Sequence, residues 1–364
     1  MAKETQVASI FNIRGGVAKT TTVINIATNL AELGKKVLVF DCDPQGNMTK
    51  LLNQAHELHP RQGEDRVKGF FELMTGECNL EEVMRHTHYP KLIDNQIDFC
   101  PAGDFFTTGD LAKHLSEEAA FAKGVYHVLC EKNLLDIKDR AEFVSNDPAI
   151  PKKYLSAIVN NDISLIDPVN ILRPIINKVR GEYDWILIDI APTRNLISDN
   201  CIVASDYVIS PAGLEGFSED GVAGLIRTIY DLAERYDSYV QFAGILLTAV
   251  KANTRISNEM CDRLWNVVPE PEDNIISRVI RYDNAVNESN TNGLPLSFWK
   301  TKTKACIDYI YAELAAGFIE EEEAEQLLKL HGFKKYTYDF DVDPKARAKK
   351  REEKKAKRAK EATR

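Results

Sequence analysis

The residues best suited to chemistry lie in one short stretch near the start of the chain, Asn12 to Thr21 (NIRGGVAKTT). The stretch follows an apolar run and opens a helical pattern, so a glycine-bearing loop stands between a predicted strand and a helix N-terminus. Backbone N–H groups of such a loop and the positive end of the helix dipole both favour phosphate. Lys19 would neutralise phosphate charge, and the hydroxyl of Thr20 would bind Mg²⁺. The stretch therefore predicts a site for nucleotide phosphates.

The loop departs from the G-x-x-x-x-G-K-[ST] pattern at two positions. Ile13 and Ala18 stand where that pattern has glycine. Alanine in place of glycine is tolerated where the backbone keeps a negative φ, and is costly otherwise. We therefore expect nucleotide binding by a loop of a deviant class.

Three aspartates come at the ends of predicted strands. Asp41 and Asp43 follow the second apolar run, and Asp189 ends the run WILID. Ligands of open α/β sheets bind at the carboxyl ends of the strands. Carboxylates there can hold Mg²⁺ or orient an attacking water. An aspartate at a strand end is often only a turn former or helix cap, but three beside a phosphate loop favour metal-dependent phosphate chemistry.

Strand-like and helix-like patterns alternate along most of the chain. The apolar runs are nearly continuous, which is typical of strands buried on both faces. We therefore predict an α/β fold with a mostly parallel twisted sheet and helices on both faces. The predicted strands are Val7–Ile13, Lys36–Asp41, Ile97–Pro101, Trp185–Asp189, Tyr207–Ser210, Phe242–Thr248 and Ile275–Ile280. The main predicted helices are Thr21–Leu33, Val169–Arg180, Glu219–Tyr236, Ser257–Val267 and Thr303–Ala316.

Two parts of the chain do not fit this alternation. Residues 54–168 are more polar and contain short helical pieces, predicted at Leu80–Arg85, Asp110–Leu115 and Tyr126–Leu134. We predict that the second part of this stretch, 112–166, is an insertion packed on the sheet edge or projecting as a helical subdomain. After the main domain, residues 1–316, we predict a C-terminal helical extension, 317–343, and a basic low-complexity tail, 344–364. The tail is expected to be a solvated helix or disordered.

Composition excludes several classes of protein. The 364 residues contain no apolar run of about 18 residues, so no transmembrane helix is expected. The first residues do not resemble a signal peptide, and the seven cysteines are scattered, which indicates a cytoplasmic protein without disulfides or a zinc site. The net charge of -9 combines an acidic body with a basic tail. Contacts with a polyanion would therefore use local patches or the tail.

Three motifs resemble those of one known family. They are the stretch Arg14 to Thr21, the sequence DCDPQGN from Asp41 to Asn47, and YDWILID ending at Asp189. Together they are similar to the ATPase motifs of ParA-type partition proteins, which belong to the deviant Walker A (ParA/MinD) class of P-loop NTPases. The resemblance covers about residues 5 to 316, interrupted by the predicted insertion. It implies an ATPase that uses ATP and Mg²⁺, hydrolyses ATP slowly and forms an ATP-dependent sandwich homodimer.

The resemblance also implies roles for individual residues. Arg14 stands where the family has a signature lysine that reaches the phosphates of the partner subunit, and arginine can take that role because it stays cationic and donates two hydrogen bonds. The implied catalytic residues are Lys19, Asp43 and Arg14, with Asp43 orienting the attacking water. The implied nucleotide-binding residues are Gly15, Gly16, Val17, Ala18, Lys19, Thr20 and Thr21. The implied magnesium residues are Thr20, Asp41 and Asp189.

The family binds DNA without sequence preference, and a partner protein stimulates hydrolysis. By analogy we expect plasmid or chromosome segregation, a ParB-like or other stimulating partner, and a cytoplasmic location with nucleoid association. The candidate DNA-binding residues are Lys251, Arg255, Arg278 and Arg281, although each is also consistent with ordinary surface charge. The tail offers a second route to phosphates, and a solubilising role is equally consistent with its composition.

Other functions of the same fold remain open. A MinD-like membrane switch needs a terminal amphipathic helix with bulky apolar residues, and the tail offers only alanine between its charges. An electron carrier similar to the nitrogenase iron protein needs cluster-binding cysteines, and Cys100 and Cys130 lack glycine-rich surroundings. Positioning of a protein cargo on the nucleoid, or a nucleotide-dependent protein switch of a mobile-element or defence operon, stays as the alternative.

Overall fold

The computed structural model describes most of the chain. The described residues are 4–54, 58–87, 89, 92, 97–103, 108–131, 152–160, 166–214, 219–251, 254–299, 303–333 and 341–362. Within them, eight strands form one sheet. The strands are β1 (Gln6–Ile10), β2 (Val37–Cys42), β3 (Arg85–His86), β4 (Ile97–Cys100), β5 (Trp185–Ile190), β6 (Tyr207–Gly213), β7 (Gln241–Val250) and β8 (Ile275–Arg281).

Helices connect these strands. The first group is α1 (Lys19–Glu32), α2 (Asn47–Leu52), α3 (Phe70–Thr75), α4 (Leu80–Val83), α5 (Thr108–Glu131), α6 (Lys152–Val159), α7 (Leu172–Val179) and α8 (Leu196–Val203). The second group is α9 (Glu219–Tyr236), α10 (Arg255–Val267), α11 (Pro271–Asn274), α12 (Asn284–Thr291), α13 (Lys304–Ala315), α14 (Glu321–Leu330) and α15 (Pro344–Ala362). A short 3₁₀ helix spans Leu296–Phe298. No described helix is long and apolar enough to cross a membrane.

The sheet has the order β3-β4-β2-β5-β1-β6-β7-β8. All described pairs are parallel except the antiparallel pair of β3 and β4. β1 lies in the middle between β5 and β6, and β5 also pairs with β2. The ends of β1, β2 and β5 therefore meet at one edge, which is where the phosphate loop and the three aspartates must come together.

Two hydrophobic cores cover the two faces of the sheet. Alternate residues of β1 point to opposite faces, so Val7 belongs to one core and Ala8 to the other. The core of Val7 is closed by α3, α7, α8, α9 and α10. The core of Ala8 is closed by α1, α2, α13 and α14. The prediction of an α/β fold with a mostly parallel sheet and helices on both faces is confirmed.

The structure corrects several predicted element bounds. The two separate pieces Asp110–Leu115 and Tyr126–Leu134 are wrong, because residues 108–131 form the single helix α5; residues 132–134 lie outside the described residues. The two-residue strand β3 was not predicted, since Arg85 and His86 carry no apolar pattern. β1 ends at Ile10 rather than Ile13. α9 has the bounds predicted for it.

The parts outside the regular alternation are helical where they are described. α5 and α6 share a small separate core that includes Ala122, Tyr154 and Ile158, and the limits 112–166 of an insertion stay a prediction. α14 packs on the core that contains α1 and α13. The tail is a helix from Pro344 to Ala362.

Candidate nucleotide site

The phosphate loop turns into α1 through two left-handed residues. Gly16 has φ +71° and Ala18 has φ +64°. Glycine adopts this region freely, whereas an L-residue with a Cβ pays about 1 kcal/mol or more there. Ala18, the N-cap residue of α1, therefore has a strained backbone. Its carbonyl accepts hydrogen bonds from the backbone N and the Oγ1 of Thr22 at 2.9 and 2.8 Å, which fix this start of the helix.

Lys19 is buried and lacks a carboxylate partner at ion-pair distance among the described residues. Its Nζ donates to the carbonyl oxygen of Arg14 at 3.0 Å. Burial lowers the pKa of Lys19, while the charges of Asp189 and Asp43 act in the opposite direction. The ammonium group is thus held over the loop with donors left for an anion, as a phosphate-binding lysine requires.

Asp41 and Asp189 are neighbours on paired strands. Residue 41 of β2 lies opposite residue 189 of β5 in the parallel register, and both side chains are buried. Burial and, secondarily, nearby carboxylates raise the pKa of Asp41 to about 6 and that of Asp189 well above its ordinary value. No cation of the described residues forms an ion pair with either group, and the charge of Lys19 only partly offsets the rise in the pKa of Asp189.

Thr20 and Asp189 form the pair that fits a magnesium ion. The Thr20 Oγ1 donates to Asp189 Oδ2 at 2.7 Å. A hydroxyl and a carboxylate side by side are oxygen ligands of the kind that Mg²⁺ takes, usually alongside waters and substrate phosphates. A dication would also relieve the repulsion between Asp189 and Asp41. The donor set therefore fits Mg²⁺.

The other two aspartates also shape the local backbone. Asp41 Oδ2 accepts from the backbone N and the Oγ1 of Thr49, at 2.7 and 2.6 Å, and so fixes α2. Asp43 Oδ1 accepts from the backbone N of Gln45 at 2.9 Å, and its carbonyl accepts from Gly46. Both residues lie at the predicted edge, and the part of Asp41 in metal binding stays a prediction.

A cleft of about 920 Å³ opens beside the loop, toward β7 and β8. Its walls come from the loop, the ends of β6 and β7, the first turns of α9 and α10, and Tyr282. Thr248 Oγ1 donates to the carbonyl of Val17 at 3.2 Å and joins the wall to the loop. Ile13, Ile256 and Tyr282 leave large apolar side chains exposed along the cleft.

The predicted basic residues fall into two groups. Arg14 is exposed at the loop, and Lys251 is exposed beside the Tyr282 ring, 5.6 Å from its centroid. Arg255 is 91% exposed and pairs only with Glu259 among the ion pairs of the described residues. By contrast, Arg281 donates to both oxygens of the buried Asp308, and Arg278 donates to Asp341 at 2.8 Å. Phosphate contact by Arg278 or Arg281 would compete with these internal pairs.

Three site residues were missed by sequence reasoning. Thr49 holds Asp41, Thr248 holds the loop, and Asn290 donates from its Nδ2 to Thr21 Oγ1 at 3.0 Å. Thr49 carries a weak signal, since it follows the Asp41–Asn47 motif in the first turn of a helix. Thr248 and Asn290 lie in two further stretches that resemble the family, 244–248 and 285–295, but their contacts span more than 200 residues of chain and were not predicted.

The family model of the CobQ/CobB/MinD/ParA nucleotide binding domain matches residues 8–296. The chain belongs to this family. The match contains the loop, the three aspartates and all of the sheet except the first two residues of β1, and it ends before α13, α14 and α15. The resemblance to ParA-type proteins that the motifs indicated is thereby confirmed at the level of the family.

The chain is similar, at low sequence identity, to several proteins that it matches over nearly their whole length. The sporulation initiation inhibitor protein Soj of Bacillus subtilis is 23% identical over 85% of this chain and 96% of its own. The chromosome partitioning protein ParA of Caulobacter vibrioides is 25% identical over 89% and 98%. The cobyrinic acid a,c-diamide synthase of Mycobacterium smegmatis, solved with an ATP analogue and magnesium, is 22% identical, covers 86% and 94%, and superposes with a TM-score of 0.56.

Proposed function

We propose that this chain is a slow, Mg²⁺-dependent ATPase of the ParA type, which dimerises with ATP and then binds DNA without sequence preference. The observation that carries the proposal is the loop site itself. Within the described part of the chain, Lys19 is buried without an ion-pair partner at close range, and the Thr20–Asp189 pair lies next to it at the ends of β1 and β5, beside a cleft of about 920 Å³. The relatives named as partition proteins support the choice of this function within the family.

Each residue of the site would have a separate role in ATP binding and hydrolysis. The backbone of Gly15 to Thr21 would cradle the phosphates and Lys19 would neutralise them. Thr20 and Asp189 would hold Mg²⁺, with Asp41 behind them. Bound magnesium supplies electrostatic stabilisation of charge on the transferring phosphoryl group. By the resemblance to ParA-type proteins, Asp43 would orient the attacking water.

A second copy of the chain fits the open side of the cleft. Arg14 is exposed there and makes no side-chain hydrogen bond or ion pair with the described residues, so its guanidinium is available to phosphates of the partner subunit. The exposed side chains of Ile13 and Ile256, the latter 69% exposed, surround it with apolar surface. Burying such surface favours association. We therefore place the dimer interface at the phosphate loop.

Lys251 and Arg255 are the DNA contacts that we retain from the sequence. Both are exposed next to the cleft, so nucleotide-dependent dimerisation would bring two copies of this patch together. Segregation of a plasmid or chromosome then follows if a ParB-like partner stimulates hydrolysis and releases the dimer. The proposed site of action is the cytoplasm, on the nucleoid.

A gel-shift assay with non-specific duplex DNA tests the proposal. It is run at two salt concentrations with ATP, ADP and no nucleotide, on the wild-type chain and on Lys19→Ala. We expect tighter binding with ATP for the wild type and no ATP effect for Lys19→Ala. Binding that is the same in all three nucleotide states would overturn the nucleotide-dependent part of the proposal. Absence of binding throughout would favour a switch that acts on proteins alone.

A further inference from the structure

The basic helix α15 begins in a structured junction. Asp343 precedes it and accepts from the backbone N of Lys345 at 2.8 Å, and Pro344 occupies the first helical position. Both residues are favoured at helix starts. Val342 is fully buried, and its backbone N approaches the carbonyl of Ser277 on β8 at 3.4 Å. The start of the helix is thus attached to the edge of the sheet.

Ion pairs fix the first two turns of α15. Arg347 is 7% exposed, and its guanidinium donates to the carbonyls of Asp341 and Val342 at 2.7 and 2.5 Å and to the carboxylate of Asp262 on α10. Asp341 also pairs with Arg278 at 2.8 Å and with Lys350 at 3.7 Å. We call this cluster the α15 anchor. Because a buried arginine is costly to leave unpaired, the anchor holds the helix against α10.

The rest of α15 is strongly cationic. Residues 344–362 contain ten lysines and arginines and three glutamates, with alanine as the one apolar type between them. Arg347 is buried on the side of the helix that packs against α10. Lys345 and Lys349, one turn apart, are exposed and define its free side. Nineteen residues of helix span about 28 Å. The rest of the chain is acidic, so the cationic field is confined to this helix.

α10 connects this helix to the nucleotide cleft. Its residues Ile256, Ser257 and Met260 line the cleft, and its Asp262 holds Arg347. Arg255 lies at the start of the same helix, about 10 Å along the axis from Asp262. α10 therefore carries Arg255, next to the cleft, and holds the start of the basic helix through Asp262.

We propose that α15 is an anchored nucleic-acid-binding helix, which contacts the phosphates of duplex DNA as an extension of the Lys251–Arg255 patch. It lies outside residues 8–296, the part that matches the family model. Its alanine-only apolar content gives no face for insertion into a membrane. The proposal rests on the proposed function only for the choice of DNA. Because the anchor is complete in the chain without nucleotide, α15 contributes to DNA binding with ATP, with ADP and with neither.

Charge reversal on the free side of the helix tests this contribution. Lys345→Glu/Lys349→Glu is compared with Lys178→Glu/Lys329→Glu, which changes the net charge equally at exposed lysines of α7 and α14. Binding of a non-specific duplex is measured against salt in all three nucleotide states. We expect the first variant to bind about tenfold more weakly, with a log–log salt slope shallower by about 2. Equal effects of the two variants would overturn the proposal.

Two further measurements isolate the anchor and the ligand. Asp262→Ala removes a negative charge, so a freely moving tail would bind DNA as well as the wild type or better. We expect weaker binding instead, because the variant loses the contact with Arg347 that holds α15 against α10. Tighter or unchanged binding by Asp262→Ala would overturn the anchored arrangement. Binding of the wild type to phosphatidylglycerol vesicles as tight as to DNA would overturn the choice of nucleic acid. Lys19→Ala keeps the α15 contribution, which separates failure of this proposal from failure of the ATP-dependent one.

Discussion

Charged residues have opposite environments at the centre of this sheet, where the phosphate loop follows β1, and at its β8 edge. At the phosphate loop, Lys19, Asp41 and Asp189 are buried without ion-pair partners among the described residues. Burial lowers the pKa of Lys19 and raises the pKa of the two aspartates, so it favours the neutral form of each group. At the β8 edge, Arg281 is matched by the buried Asp308, and Arg347 by Asp262. Uncompensated charge indicates a place for a ligand, whereas compensated charge stabilises the fold.

The type of a charged residue alone does not indicate whether it binds a ligand or stabilises the fold. Arg281 and Arg255 looked equivalent as candidates for DNA binding in the sequence. In the structure Arg281 is 14% exposed and donates to a buried carboxylate, whereas Arg255 is 91% exposed. The partner of each charge decides its role, and the partner is often far away in the chain.

Removal of Arg281 should have the largest effect on folding. Arg281→Ala leaves Asp308 buried without its guanidinium partner, which we expect to lower the free energy of unfolding by about 3–5 kcal/mol. Arg255→Ala, at an exposed pair, should change it by less than about 0.5 kcal/mol. Urea denaturation of both variants measures the difference. A stable Arg281→Ala protein with weakened DNA binding would mean that the β8 edge is functional after all.

Removal of Lys19 should instead affect ligand binding. Lys19→Ala deletes the charge that faces the phosphates, and we expect the affinity for Mg-ATP to fall about 100-fold, in line with the strength of hydrogen bonds to charged groups. Lys50→Ala, at an exposed lysine of α2, is the matched control. Titration calorimetry measures both. Equal affinities for the two variants would remove Lys19 from the site.

A buried carboxylate away from the loop shows whether uncompensated charge is costly in general. Glu313 accepts a hydrogen bond from Asn29 through one oxygen, and its other oxygen is buried without a hydrogen bond to any residue that the structure describes. Burial raises the pKa of Glu313 well above its ordinary value. The folded state therefore binds a proton more tightly than the unfolded chain. This stabilisation is complete below pH of about 4.5 and is lost as the pH rises through the folded pKa.

Glu313→Gln should remove the loss of stability that accompanies ionisation of Glu313 at higher pH. We expect the variant and the wild type to be equally stable near pH 4, and the variant to become more stable by about 1 kcal/mol at neutral or higher pH. Thermal unfolding across this pH range, monitored by circular dichroism, provides the test. A stability difference that does not change with pH would show that Glu313 is compensated by a partner.

The smallest expected effect is relief of strain in the loop. Ala18→Gly places glycine at φ +64°, and should raise the free energy of unfolding by about 1 kcal/mol or less, because the cost of the left-handed region is offset by chain entropy. Ala120→Gly, at an exposed position of α5, should lower it by about 1 kcal/mol. Equal signs for the two changes would contradict a strained Ala18.

The sequence predicted the sheet and the loop because both depend on local signals. Nearly continuous apolar runs marked the strands, and the spacing from Gly15 to Thr20 marked the phosphate loop. It did not predict the α15 anchor, because Arg347 and Asp262 are 85 residues apart and neither has an unusual neighbourhood. It also left φ of Ala18 open, since that angle depends on the turn into α1. Charge pairs between residues far apart in the chain were therefore the main feature that the sequence could not predict.

Sedimentation of the chain with Mg-ATP tests the central claim, that the uncompensated loop site is completed by nucleotide and a second copy. The wild type is measured with ATP, ADP and no nucleotide, beside Lys19→Ala and Asp43→Ala. We predict a dimer with ATP alone for the wild type, a monomer throughout for Lys19→Ala, and a long-lived ATP dimer for Asp43→Ala. A wild-type oligomeric state that ATP does not change would contradict the account.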